Sequence, residues 1–198
     1  MNKSEIIKVL SLIAKESANE SKRYGAHYYE HDSGKYRSCP EMFIVHSVLN
    51  KLRIAGYGVT AEALQGGIWK LAGEENTAPE GTERYRYDLA IWKSAETPIM
   101  LCEFKWHFRS SDFHKDAENL VVAQKKLRAV PVIVLLAVEP NKDRLGKILT
   151  AEEQFMEDKY GLLRKERSQV KSTPTYFCGR VNKNDCSYTQ VSAMALKA

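Results

Sequence analysis

The longest uninterrupted apolar run in the chain, residues 132–138 (VIVLLAV), limits the possible folds more than any other feature. It is far shorter than the roughly 20 apolar residues of a membrane-spanning helix, so it indicates a strand that is buried on both faces. Residues 112–129, directly before it, have apolar side chains at helical spacing. We therefore expect a helix that crosses into a buried strand, and a sheet with mixed strand pairing.

Size and composition fit one α/β domain that spans residues 1–198. A chain of 198 residues suits a single globular domain, and 43% apolar residues are enough to build a core. Charged residues interrupt the apolar positions near the amino terminus, so no signal peptide is indicated and we expect a cytoplasmic protein. The four cysteines contain no CxxC pair, so the sequence predicts neither a zinc cluster nor a disulfide scaffold.

Periodicity and turn residues predict most of the other elements. Amphipathic spacing predicts a helix over residues 3–22, then a loop over 23–37 and a helix from Ser38 to about Gly56. Alternation predicts a hairpin of two strands, with a turn between them. These strands cover residues 84–92 and 99–106. We also expect a strand and irregular loop within 57–83, a helix over 143–167, and edge strands or a terminal strand and helix over 175–181 and 188–196.

The predicted hairpin brings three charged side chains near one another. Glu103 and Lys105 share a face of the second strand, because successive side chains of a strand point to opposite sides. If Lys93 pairs with Pro98 across a four-residue turn, Asp88 lies directly opposite Glu103. A three-residue turn would shift the register by one residue and leave the two carboxylates offset.

Two carboxylates that face each other across a strand pair have Cβ atoms about 4.5–5.5 Å apart, and their charges repel. The repulsion is relieved when one carboxyl takes up a proton or when a cation lies between them. Mg²⁺ suits the second case, because one or two carboxylates, water and phosphate oxygens commonly bind it. Such an ion and Lys105 would together stabilise the charge that develops when water attacks a phosphodiester.

This pattern of Asp88, fourteen further residues and then Glu103-Phe104-Lys105, with Glu41 on a preceding helix, resembles the PD-(D/E)XK nuclease superfamily. The resemblance covers about residues 38–138 and implies a restriction-endonuclease-like core with a mixed sheet flanked by helices. It implies that Asp88 and Glu103 bind catalytic Mg²⁺, for which Mn²⁺ can substitute. It also implies that Lys105 is a catalytic base or an electrostatic aid, and that Glu41 completes the site or a second metal position.

Two further residues bear on the resemblance. Some branches of the superfamily have a functional polar residue in the helix that follows the second strand, and Gln124 is the matching residue here. Tyr87 stands where the family's nominal proline precedes the aspartate. That proline varies widely, and the substitution removes no metal ligand.

Other interpretations of the same residues stay open. Asp88, Glu103 and Lys105 can form a cross-strand ion network on a solvent-facing sheet surface, worth at most about 1 kcal/mol. Glu41 can instead close a capping box with Ser38 at the start of its helix. Residues 27–31 (HYYEH) match an inverted zinc-protease motif, but the glycines on either side favour a loop over the helix that this motif needs.

The positive charge of the chain is concentrated in a carboxy-terminal extension, residues 159–198. This segment has eight basic residues against two acidic ones, whereas the whole chain carries +5, so the first 158 residues sum to −1. A basic end can attract a polyanion, with DNA as the expected partner, although charge alone is equally consistent with a solvated surface. The residues predicted to contact nucleic acid are Arg23, Lys35, Arg37, Gln124, Arg164, Lys165 and Arg167.

The sequence thus predicts a metal-dependent endonuclease that hydrolyses phosphodiester bonds in DNA. A module that binds nucleic acid without cleaving it is the main alternative, and it would show salt-sensitive affinity without turnover. An RNA-directed nuclease is a second alternative. A homodimer is an expectation by analogy alone, because symmetric dimers are common among enzymes that cut both strands of a duplex.

Overall fold

The computed structural model describes residues 1–27, 41–74, 85–93, 97–106, 110–139, 142–172, 176–177, 180–181 and 187–197. Its helices are α1 (Lys3–His27), α2 (Glu41–Ile54), α3 (Gln65–Leu71), α4 (Ser110–Leu127) and α5 (Lys142–Tyr160). Its strands are β1 (Gly58–Leu64), β2 (Arg86–Trp92), β3 (Pro98–Trp106), β4 (Val130–Glu139), β5 (Leu162–Ser172), β6 (Tyr176–Phe177), β7 (Arg180–Val181) and β8 (Ser187–Leu196).

Six strands form the main sheet in the order β1-β2-β3-β4-β8-β5. Strands β3 and β4 run parallel, and the other neighbouring pairs are antiparallel. Helix α4 makes the crossover between the two parallel strands, as the helical spacing before the apolar run predicts. The expected α/β class, with a mixed sheet flanked by helices, is therefore confirmed.

The surroundings of strand β4 explain why its sequence is continuously apolar. Val132, Val134 and Leu136 belong to a core cluster that contains the buried faces of α1 and α2. Ile133 and Leu135 belong to a second cluster, built with α3, α4 and α5 on the opposite face of the sheet. Because helices cover both faces, every position along the centre of the strand must be apolar.

The amino-terminal half matches the sequence-based expectations with two differences. Helix α2 is followed by Gly56, whose φ of 90° is favoured by glycine, so the predicted end is confirmed. Helix α1 extends to His27, so the start of the predicted loop over residues 23–37 is helical instead. The segment after β1 contains a short helix, α3, where we expected an irregular loop because the glycine pair Gly66-Gly67 is typical of loops.

The predicted helix over residues 143–167 is wrong beyond Tyr160. Gly161 has a φ of 67°, a left-handed conformation that ends α5, and its carbonyl accepts a hydrogen bond from the Lys197 amide at 3.1 Å. The chain then continues as β5 at the edge of the sheet. An edge strand with one exposed face tolerates charged and polar side chains. The sequence of β5 is therefore polar enough to be mistaken for the continuation of an exposed helix.

Strand β8 lies in the interior of the sheet, between β4 and β5, and is neither an edge strand nor a helix. Residues 191–196 are all buried, including Ser192. The two long strands of the basic extension, β5 and β8, thus complete the main sheet. None of the described helices is long and apolar enough to cross a membrane. Cys102 is buried with a free thiol, and the other three cysteines lie outside the described residues.

Glu153 attaches the edge strand β5 to helix α5. Its carboxylate is 1% exposed and accepts bonds from Arg167 Nε at 2.6 Å, Lys165 Nζ at 3.1 Å and Ser192 Oγ at 2.5 Å. Burial alone would raise the pKa of Glu153, but the hydrogen bonds from Arg167, Ser192 and Lys165 lower it overall. A buried carboxylate surrounded by donors is a structural anchor here.

We predict that Glu153→Gln lowers the free energy of unfolding at pH 7 by about 1–3 kcal/mol, because charged hydrogen bonds are removed while both basic partners stay partly exposed. The Glu153 contribution is complete above pH 4.5, its ordinary pKa, and is lost as the pH falls through the lower folded value. The difference in free energy of unfolding between the wild type and Glu153→Gln should therefore become smaller in acid. Urea unfolding at several pH values measures it, with Glu152→Gln as the control; a deficit that is constant with pH contradicts the assignment.

Candidate active site

The pairing of β2 with β3 brings the hairpin carboxylates together. The paired residues run from Ile91 with Met100 to Leu89 with Cys102, and Asp88 and Glu103 are the next residues on the two strands. Over these pairs the register is the one expected from a four-residue turn, but Pro98 pairs with Trp92 and not with Lys93. The amide of Phe104 donates a hydrogen bond to Asp88 Oδ2 at 2.6 Å, so β3 itself holds the carboxylate in place.

Glu103 and Asp88 share a site that disfavours two negative charges. Glu103 is only 2% exposed, and burial, followed by the charge of Asp88, raises its pKa well above the usual range. Burial also raises the pKa of Asp88, although the Phe104 amide, Lys105 and a hydrogen bond with Glu103 oppose that rise. Burial and the charge of Asp88 therefore favour the neutral form of Glu103, and the two carboxyl groups are hydrogen-bonded to each other.

Lys105 lies on the same face and has two acidic partners. Its Nζ is 2.7 Å from Asp116 Oδ2 and 3.6 Å from Glu103 Oε2. Burial alone would lower the pKa of Lys105, but the hydrogen bond to Asp116 and the charges of Glu103, Asp116 and Asp88 raise it overall. Lys105 is consequently an ammonium throughout the neutral range.

Sequence reasoning missed two residues of this site, Asp116 and Tyr85. Tyr85 Oη lies 2.9 Å from Glu103 Oε1 and 2.8 Å from Asp116 Oδ1, and its single hydrogen serves one of them at a time. The sequence did contain a pattern that could have identified Asp116. This residue lies on the apolar stripe of α4 with Leu120 and Ala123, which follow it by four and seven positions. A carboxylate in such a stripe needs a partner.

Glu41 reaches this site from the opposite helix layer, in the first turn of α2. Its pKa is raised to about 7 by burial and then by the charge of Asp88, while Lys105 partly opposes the rise. The charges of Asp116 and Glu62 contribute further. The four residues predicted to be catalytic thus lie within electrostatic reach of one another. Ser38, the alternative partner of Glu41 in a capping box, lies outside the described residues.

Gln124 and Arg23 are not part of this cluster. Gln124 is eight residues after Asp116 on α4, about 12 Å along the helix axis, and its Nε2 donates to the Lys197 carbonyl at 3.2 Å. Arg23 lies on α1, in the layer on the other face of the sheet, where it pairs with Glu16 at 3.1 Å and with Glu20 at 2.5 Å.

Of the other predicted nucleic-acid contacts, three lie on β5 and two lie outside the described residues. Lys165 and Arg167 both bind Glu153, and Arg164 Nε lies 3.6 Å from Glu166 Oε1. Lys35 and Arg37 lie outside the described residues. The same holds for most of the possible zinc-protease motif, of which only His27 falls within α1.

The described residues contain no group of three or more His, Cys, Asp or Glu side chains arranged to hold a metal ion. Asp88 and Glu103 do offer carboxylate oxygens, which are hard donors, beside the Lys105 ammonium. Such a donor set fits Mg²⁺, which takes one or two carboxylates and completes its coordination with water and phosphate oxygens. A cation would bind the ionised carboxylates, so its affinity would depend on pH.

Comparison with known proteins adds no constraint on this site, since no protein-family model, no curated protein and no solved structure matches the chain. The chemistry of the site therefore follows from its own geometry.

We predict that Glu41→Gln changes how stability depends on pH in the presence of a chelator. The folded protein keeps the Glu41 proton up to about pH 7, whereas the unfolded chain releases it near pH 4.5. The wild-type free energy of unfolding should therefore fall across this interval through Glu41, and the variant should lack that part of the decline. Urea unfolding of both proteins tests this, with Glu152→Gln as the control. Parallel pH profiles would show that Glu41 is not electrostatically coupled to the site.

Proposed function

We propose that this protein is a metal-dependent endonuclease that hydrolyses phosphodiester bonds in DNA. The observation that carries the proposal is the half-buried Asp88 next to the buried Glu103, with the Lys105 ammonium beside them. Placing Glu103 in a buried position beside Asp88 raises the cost of ionising it, and such costs are concentrated at functional sites. Burial also argues against the alternative of a solvent-facing ion network, because Glu103 is 2% exposed.

The topology around the site supports a restriction-endonuclease-like core. The elements α2, β1, β2, β3, α4 and β4 follow one another along the chain, interrupted only by the short α3. The first four strands are adjacent in sequence order, and β4 returns parallel to β3. This arrangement agrees with the order of helix, strands, helix and strand that the sequence resemblance implies, and Asp88 and Glu103 lie on its central hairpin.

In this proposal Asp88 and Glu103 hold Mg²⁺, or Mn²⁺ in its place. A bound ion would supply positive charge that lowers the electrostatic barrier to attack on a phosphodiester. Asp88 is suited to the role because the Phe104 amide fixes its carboxylate at the surface of β3. Glu103 is suited because its raised pKa reflects a shortage of positive charge, which a cation would supply.

Lys105 and Glu41 perform different tasks. Lys105 remains an ammonium, so it stabilises negative charge on the phosphate oxygens and does not act as a base. Glu41, with a pKa of about 7, is matched to proton transfer near neutral pH. The water oxygen bonds to phosphorus while its proton passes to Glu41. The bond from phosphorus to the leaving sugar oxygen breaks, and that oxygen takes a proton from solvent.

Asp116 and Tyr85 are positioning residues in this scheme. Asp116 holds the Lys105 ammonium at 2.7 Å, and Tyr85 bridges Asp116 and Glu103 through its hydroxyl. The three contacts connect α4 with the start of β2 and with β3. They orient Lys105 and Glu103 before substrate arrives, which reduces the reorganisation needed during the reaction.

We predict that Asp88→Asn, Glu103→Gln and Lys105→Met each reduce cleavage by about 10²-fold or more, because the first two remove a charged ligand that would hold the metal ion and the third removes the ammonium that stabilises the transition state. Nicking of supercoiled plasmid with Mg²⁺, with Mn²⁺ and with chelator measures the effect, and structured RNA serves as a competing substrate. Lys126→Met and Glu152→Gln, which change exposed or partly exposed charges elsewhere, are the matched controls.

Undiminished cleavage by the three site variants would refute the proposal. DNA binding that weakens with salt but never gives a product would identify the non-cleaving alternative. Preferential cleavage of the RNA substrate would identify an RNA-directed nuclease.

We predict that Asp116→Asn moves the alkaline limb of the cleavage pH profile to lower pH. Asp116 raises the pKa of Lys105, so without its charge the ammonium is lost at a lower pH. Activity at neutral pH should fall by about 10-fold through poorer orientation of Lys105. Glu118→Gln, on the same helix and exposed, is the control. An alkaline limb that stays where it is in the wild type would show that Asp116 does not act through Lys105.

A further inference from the structure

A solvent-open groove of about 820 Å³ lies between α5 and the β5 edge of the main sheet. The first half of α5 forms its wall, and side chains of β5 and β8 form its floor. The wall residues are Lys142, Asp143, Gly146, Lys147, Thr150, Ala151 and Gln154, and the floor residues are Arg167, Gln169 and Gln190. This volume is within the range of about 300–1,000 Å³ that ligand sites occupy.

The groove carries excess positive charge. Lys142 and Lys147 are exposed, and neither is paired with a carboxylate in the described part of the chain. Arg167 is fixed on the floor by Glu153 and by Thr150 Oγ1, which lies 3.2 Å from its Nη2. Asp143 and Glu153 balance only part of this charge, because Lys165 also lies against Glu153. An anion is therefore the complementary ligand.

The wall of the groove allows a ligand to come close to the helix. Gly146 has no side chain, and a Cβ added there would meet no atom within 4 Å. Ala151, further along the same helix, has only a methyl side chain and also leaves room for a ligand. Gln169 and Gln190 provide amide donors on the floor of the groove. Lys142 and Lys147 are separated by about 7.5 Å along the helix axis, which suits a row of phosphates better than one small anion.

Strand pairing connects this groove to the candidate active site. Lys105 pairs with Leu135, Leu135 with Ser192, and Ser192 with Arg167, so one row of residues crosses four strands. Residues paired in this way share a face of the sheet, and three strand spacings correspond to about 14 Å. A duplex covers that distance in about four base pairs, because each strand advances about 3.4 Å per phosphate.

We propose that this groove is a second binding site for the nucleic-acid substrate, which holds the phosphate backbone about four base pairs from the bond that is cut. The inference rests on the proposed function for the class of ligand. The groove supplies affinity and register, since contacts with phosphates position a substrate without reading its sequence. It takes no part in the chemistry at Asp88 and Glu103.

The first test is duplex binding in the presence of chelator, so that the result does not depend on cleavage. Affinity for a 20-base-pair duplex is measured across a series of salt concentrations for Lys142→Ala/Lys147→Ala. The matched control, Lys8→Ala/Lys51→Ala, removes the same charge from exposed lysines of α1 and α2, on the other face of the sheet. We expect the groove variant alone to reduce the slope of log affinity against log salt, by about 0.9 for each phosphate that the protein no longer neutralises.

The second test fills the groove without disturbing the fold. Gly146→Glu places a negative side chain in open space, whereas Gly146→Ala adds only a methyl group and favours the helix. Duplex affinity should fall at least 10-fold in the glutamate variant and stay at the wild-type value in the alanine variant, with unchanged thermal midpoints in both.

Equal losses of affinity in the groove and control variants, or full affinity in Gly146→Glu, would overturn the proposal. Displacement of the duplex by inorganic phosphate or a mononucleotide, beyond the effect of matched ionic strength, would also overturn it by showing a site for small anions. If the wild type binds through the groove but cleaves nothing, the proposed function fails and the groove assignment stands.

Discussion

The pairing of β2 with β3 brings Asp88 beside Glu103 and Lys105. Leu89 pairs with Cys102, and a slip of one residue would move the apolar side chains of the strand from one buried face of the sheet to the other. The hydrophobic residues of the hairpin therefore hold the carboxylates together against their repulsion. The Phe104 amide and a hydrogen bond with Glu103 both lower the pKa of Asp88, which partly offsets the cost of burying its carboxylate.

Glu103 and Glu153 show how surroundings separate a reactive carboxylate from a structural one. Both are almost completely buried, yet burial beside Asp88 raises the pKa of Glu103, whereas donors from Arg167, Ser192 and Lys165 lower that of Glu153. The first site is short of positive charge and is suited to a cation. The second is already compensated, so it joins β5 to α5 and fixes Arg167 on the floor of the groove.

The basic extension has a structural role that its charge does not suggest. Strand β8 completes the burial of β4, and β5 forms the outer edge that borders the groove. The row from Lys105 to Arg167 exists only because β8 inserts between β4 and β5. In the proposed enzyme, the same pairing that closes the core also sets the distance between the cleavage site and a backbone-binding surface.

The sequence by itself determined the hairpin and the crossover through α4, because each depends on periodicity within a short segment. It left two registers of the hairpin open, and the structure decided between them by pairing Leu89 with Cys102, which brings Asp88 beside Glu103. Only the tertiary structure decided that β8 is an interior strand and that the chain forms β5 after Gly161, since both depend on partners distant in sequence. Tyr85 and Asp116 joined the site for the same reason: a side chain's neighbours across a sheet and a helix layer are set by packing, which local patterns do not encode.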